Sequence, residues 1–118
     1  MADSIVVKAK IKEAVKDCNV SGDFADALND ALVEQVQKAV ERAKGNGRKT
    51  VQAKDVIIGE SQAGPMLVVR SKIKGLVSDV NVSGDLADAL NSMALWMIAQ
   101  AEARAESNNR KTMMGKDL

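Results

Sequence analysis

The eleven residues NVSGDFADALN at 19–29 return as NVSGDLADALN at 81–91, with ten of the eleven unchanged. The echo runs well beyond the motif. At a shift of sixty-two positions, VVKAKIKEAVKDCNVSGD (6–23) lies over VVRSKIKGLVSDVNVSGD (68–85) without a gap. NGRKTVQAKDV (46–56) lies over NNRKTMMGKDL (108–118) in the same register. Roughly half of the aligned positions are identical, so the chain is a tandem duplication. The first repeat is read as 1–56 and the second as 66–118. Between them, IIGESQAGP (57–65) reads as a linker from its Gly, Ser and Pro.

Each repeat carries a helical period. Val7, Ile11, Ala14, Val15 and Cys18 mark a short first helix over about 7–17. Phe24, Leu28, Leu32, Val36, Ala39, Val40 and Ala43 form one apolar stripe to about residue 44. Ser21 is the expected N-cap of that long helix, its hydroxyl accepting from an orphan amide, with Asp23 and Asp26 suiting the positive dipole end. Gly45, Asn46 and Gly47 supply the left-handed stop. Thr50 is the expected cap of a last, very short helix through Ala53, Lys54 and Asp55. A short–long–short set of helices has too little depth to bury its own stripe, so the two repeats are expected to form one all-α compact domain together.

Composition narrows the function classes. With no histidine, one cysteine replaced by Val80 in the second copy, and no acids at metal-ligand spacing, neither catalysis nor a metal site is expected. No cofactor or small-molecule substrate is implied. GNGRKT (45–50) lacks the spacing and the preceding strand of a nucleotide-binding loop, and its second copy, SNNRKT, has no glycine. The single Cys18 favours a reducing compartment, and no stretch suits a membrane span, so a cytoplasmic protein is expected. A net charge of +1 excludes a generic polycation but leaves room for a local basic edge.

Val20-Ser21 before the long helix, Gly47-Arg48-Lys49-Thr50 after it, and Lys54-Asp55-Val56 beyond resemble the histone fold. Val82-Ser83, Arg110-Lys111-Thr112 and Lys116-Asp117-Leu118 repeat the pattern. The likeness is to the small tail-less histones of archaea and bacteria, and it covers both repeats. It implies that the repeats pair within the chain as a pseudodimer, the long helices crossing, with Ser21 near Lys111 and Ser83 near Lys49. Departures are a long helix about one turn shorter, a clipped last helix, and Asn19 and Asn81 where archaeal histones often carry arginine.

On that resemblance the expected partner is double-stranded DNA, held through its phosphates with little sequence preference and bent or compacted, in a nucleoid-associated role. Lys49 and Lys111 sit beside a helix start, where lysine and free amides together hold phosphate. Lys8, Lys10 and Lys12, matched by Arg70, Lys72 and Lys74, crowd the start of each first helix. Cations there oppose the dipole, and the repetition points to an external anion. Ser21, Ser83, Thr50 and Thr112 are read as caps on the DNA-binding face, and the amides that follow Ser21 and Ser83 are expected to bind phosphate as well. Arg48 with Asp55, and Arg110 with Asp117, have a spacing that suits structural salt bridges.

A second reading is a histone-fold module that binds protein and no DNA. The low net charge and the missing loop arginines feed it. So does the replacement of Glu34 by Trp96 and of Gln35 by Met97, which is either extra core or a surface for self-association.

Overall fold

A computed structural model describes residues 5–15, 18–56, 65–77 and 80–118, without the side chains of Lys8 and Arg70. The expected linker, Pro65 apart, lies outside these residues, as do positions 16 and 17 of the expected first helix.

The apolar period places the helices. α1 (Lys8–Ala14) turns Ile11 fully inward, and α2 (Gly22–Gly45) buries Phe24, Leu28, Leu32, Val36, Ala39 and Ala43. In the second half, α3 (Arg70–Lys74) buries Ile73, and α4 (Leu86–Ser107) buries Leu86, Leu90, Ala94, Ile98, Ala101 and Ala105. The last short helix of each half is a single 3₁₀ turn, Ala53–Asp55 and Gly115–Asp117. Each long helix packs against the 3₁₀ turns of both halves and meets the other long helix over a short stretch. The halves share one core. The molecule measures 47 × 27 × 22 Å.

The fold is mainly helical, and it adds four two-residue strands to the all-α expectation. β1 (Asn19–Val20) and β2 (Thr50–Val51) belong to the first half, and β3 (Asn81–Val82) and β4 (Thr112–Met113) to the second. They pair across the halves, β1 parallel to β4 and β2 parallel to β3. A third junction joins the segments that lead into the two short helices. Val6 bridges Val68 in antiparallel sense, Val7 N–H donating to Leu67 O at 2.9 Å and Val69 N–H to Ile5 O at 2.8 Å.

The repeated asparagine that closes the eleven-residue echo secures this junction. Asn29 Oδ1 accepts from Ile5 N–H at 2.8 Å. Asn91, which is buried, accepts from Leu67 N–H at 2.6 Å and Val68 N–H at 3.3 Å, and its amide donates to Pro65 O at 3.2 Å.

The caps differ from expectation. Ser21 occupies the N-cap position of α2, but its hydroxyl donates to the Asp23 carboxylate and accepts no helix amide. Ser83 donates to Asp85 in the same way, and Asp85 is the N-cap of α4. A neighbouring carboxylate is a stronger acceptor than water, so it draws the hydroxyl proton. Thr50 and Thr112 lie in strands and cap nothing. The 3₁₀ turns are closed by their own aspartates, Asp55 accepting from Gln52 N–H and Asp117 from Met114 N–H, both at 2.8 Å.

Both long helices end on a left-handed residue, Gly47 at φ 71° and, one repeat later, Asn109 at φ 59°. Asparagine is the side-chain-bearing residue that best tolerates this region. Gly45 is helical, with open space where a Cβ would stand. Urea unfolding should therefore split the two glycines. Gly47→Ala should cost about 1–2 kcal/mol, and Gly45→Ala should add about 0.5 kcal/mol.

Candidate nucleic-acid interface

Cross-half strand pairing sets the two loop sites. Asn19 is in register with Thr112, Asn19 N–H donates to Lys111 O at 2.6 Å, and Ser21 N–H donates to Met113 O at 2.9 Å. Ser21 thus stands beside Lys111 and Thr112. At the other end Thr50 is in register with Asn81, Asn81 N–H donates to Lys49 O at 2.7 Å, and Ser83 N–H donates to Val51 O at 2.9 Å. Ser83 stands beside Lys49 and Thr50. Lys49 and Lys111 are exposed, and the two serines and two threonines are half-buried.

The first loops are also tied to the last turns by acids. Asp85 Oδ1 accepts from Ala53 N–H of the first half at 3.2 Å, and Asp23 Oδ1 accepts from Gly115 N–H of the second at 3.4 Å. Hydrogen bonds from Ser21 and from the Gly115 amide hold the Asp23 carboxyl below its usual value, as Ser83 and the Ala53 amide do for Asp85. Asp23 was expected to suit the positive end of the helix dipole. The link of Asp23 and Asp85 to the opposite half is tertiary, and only its duplication hinted at it.

Behind each loop lysine an arginine turns inward. Arg48 grips Asp55 with two N–H groups, Nη1 to Oδ2 at 2.9 Å, and Arg110 grips Asp117 likewise, with Nη1 to Oδ2 at 2.8 Å. Both aspartates are buried. The Arg110 guanidinium brings the Asp117 carboxyl down to about 2, and Arg48 lowers Asp55 in the same direction. A second arginine, missed in the sequence, reaches each turn: Arg42 Nη1 donates to Asp55 O and Arg104 Nη1 to Asp117 O, both at 2.7 Å. Its signal was available, because Arg42 and Arg104 match in a stretch where most neighbours differ.

The short helices carry the third group. Neither α1 nor α3 has an acid in its first turn. Lys10, Lys12, Lys72 and Lys74 are exposed, and Lys10 pairs with Glu13 at 3.3 Å. The antiparallel Val6–Val68 bridge joins the segments that lead into α1 and α3, so the two helix starts, at Lys8 and Arg70, leave the junction in opposite directions and flank it on either side. The side chains of Lys8 and Arg70 lie outside the described residues. Lys74 and Ser83 share an open hollow of about 390 Å³ with Ser71 and Gly84, which joins a short-helix cation to a loop site.

Trp96 and Met97 are half-buried and line a hollow of about 190 Å³ with Ala31, Gln100, Arg104 and Leu118. The fold also brings Cys18 beside Glu102 and Glu106, three ligand atoms within 4.8 Å of one another. Sequence spacing could not show this group, and it falls short of the four ligands of a structural zinc site. Among the described residues, no helix is long and apolar enough to cross a membrane.

No protein-family model matches the chain, and neither does any curated protein sequence. Among solved structures, the crystal structure of the histone from Methanopyrus kandleri is similar, with a TM-score of 0.65 and 17% sequence identity. The match covers 95% of this chain and 89% of that one. The chain has the histone fold.

Proposed function

We propose that this histone-fold chain is an architectural DNA-binding protein. It folds as an intramolecular pseudodimer and binds duplex DNA through the phosphate backbone, with little sequence preference. The observation that supports this most is the crosswise strand pairing, which sets an exposed lysine, a serine and a threonine together at each of two loop sites. The basic starts of α1 and α3, which flank the Val6–Val68 bridge on either side, would supply a third site between the halves. Three phosphate contacts spaced along a 47 Å molecule would curve the duplex over it, which accounts for bending or compaction. A nucleoid-associated role belongs to the same proposal.

The loop lysines test it. Lys49→Ala with Lys111→Ala should weaken binding to random duplexes of any sequence alike. The log–log salt slope should become shallower by about 0.9 for each lost phosphate contact. An unchanged affinity and slope would sink the loop assignment.

The Trp96–Met97 hollow favours a second reading, in which the chain binds protein and no DNA and associates with itself through this surface. Gel shifts with random duplex at low salt separate the two readings, since complete absence of binding leaves only the second.

A further inference from the structure

Each long helix ends against the 3₁₀ turn of its own half in an open, cationic concavity. The first, about 430 Å³, is lined by Arg42, Asn46, Arg48, Lys54 and Asp55. The second, about 350 Å³, is lined by Arg104, Asn108, Arg110, Lys116 and Asp117. These are the same five residues, identical in type, one repeat apart. Around them the copies diverge: Lys44, Gly45, Gly47, Val51 and Gln52 become Glu106, Ser107, Asn109, Met113 and Met114.

The charges in each concavity do not cancel. Three cations face one carboxylate, and that carboxylate is already engaged by Arg48 or Arg110 and by a backbone amide. Arg42 and Arg104 each give one N–H to the turn's last carbonyl, out of the five donors a guanidinium carries. The C-terminal end of the helix dipole subtracts about half a charge, which leaves each concavity positive. Closing the turn explains both arginines. It gives only a minor reason, a weak attraction to the buried aspartate, for a lysine at 54 and again at 116, each exposed on the rim of the same hollow.

We infer that each concavity accepts one phosphate group, with Arg42 and Lys54 contacting it in the first half and Arg104 and Lys116 in the second. Arg48 and Arg110 are positioning residues that hold the turn in place. These two sites are separate from the loop lysines. Their phosphate comes either from a free small anion or from a nucleic-acid backbone, and the chemistry is the same for both.

Calorimetric titration of the full chain with inorganic pyrophosphate at low ionic strength tests the inference. Saturable binding of two anions per chain is expected. Lys54→Glu should remove one site, and Lys54→Glu with Lys116→Glu should weaken binding at least tenfold. Neither lysine hydrogen-bonds to the Arg–Asp bridges, and each adds only a minor attraction to its neighbouring aspartate, so a thermal melt at neutral pH that stays cooperative checks the fold. Lys38→Glu, the same charge change at an exposed lysine paired with Glu34, should leave binding intact. Absence of saturable heat, or equal loss from Lys38→Glu and the double variant, overturns the proposal. The same double variant titrated with random duplex identifies the source. A backbone source makes the salt slope shallower by about 0.9 per site, and a free anion leaves it unchanged. Because Lys49→Ala with Lys111→Ala should keep pyrophosphate binding, failure of the DNA reading would be told apart from failure of this one.

Discussion

Asn91→Leu should destabilise the protein by about 2–4 kcal/mol, measured as a lower urea midpoint at constant slope. The wild-type amide accepts from Leu67 and Val68 and donates to Pro65, in a buried setting where no water can replace it. Leucine keeps the branched shape and leaves those backbone groups without their partner, each costing about 1–3 kcal/mol. Asn29→Leu provides the control. Asn29 is half-buried, and the change takes from the buried Ile5 amide its acceptor at 2.8 Å, so the expected loss is smaller, about 1–2 kcal/mol. Equal losses at the two positions would show that burial is not what sets the cost.

Acid should unfold the protein through a specific set of carboxylates. Asp117 and Asp55 are lowered first by their arginines, and Asp23 and Asp85 first by their serines. A carboxyl lowered in the folded state binds fewer protons folded than unfolded between its two pKa values, and there stability rises with pH. The stabilisation is complete above the unfolded value, about 3.9, and is lost as pH falls through the folded value. For Asp117 that interval reaches down to about 2. The melting temperature should hold from neutrality to about pH 4 and fall steeply towards about pH 2. Asp117→Asn should lower the neutral-pH melting temperature by about 5–10 °C and flatten the acid limb, because the titrating group is gone. A limb as steep in the variant as in the wild type would assign the acid response to other groups.

Much of the fold was legible because helices write themselves locally. The stripe from Phe24 to Ala43 and the stop at Gly47 carry their signal within a few residues. The Arg48–Asp55 and Arg110–Asp117 bridges were legible for the same reason, since both ends lie on one loop and turn. The strands were not. Asn19–Val20 and its three counterparts are too short to show a period of two, and they exist only because a strand from the other half lies alongside. The serine caps failed because the competing acceptors, Asp23 and Asp85, sit only two residues away. Asn29 and Asn91 were visible as repeated letters, but their partners lie 24 residues upstream, beyond any local rule.

The two cross-half ladders look alike in space but lie at very different distances along the chain. Thr50 and Asn81 are 31 positions apart, while Asn19 and Thr112 are 93 apart. Closing the longer loop costs about 1 kcal/mol more chain entropy, from the logarithm of that threefold ratio. A nascent chain also reaches Val82 well before it reaches Met113. The near-symmetric product therefore has an ordered assembly. The ladder through Thr50 and Asn81 is expected to close first, and the loop at Asn19 to wait for the segment through Thr112.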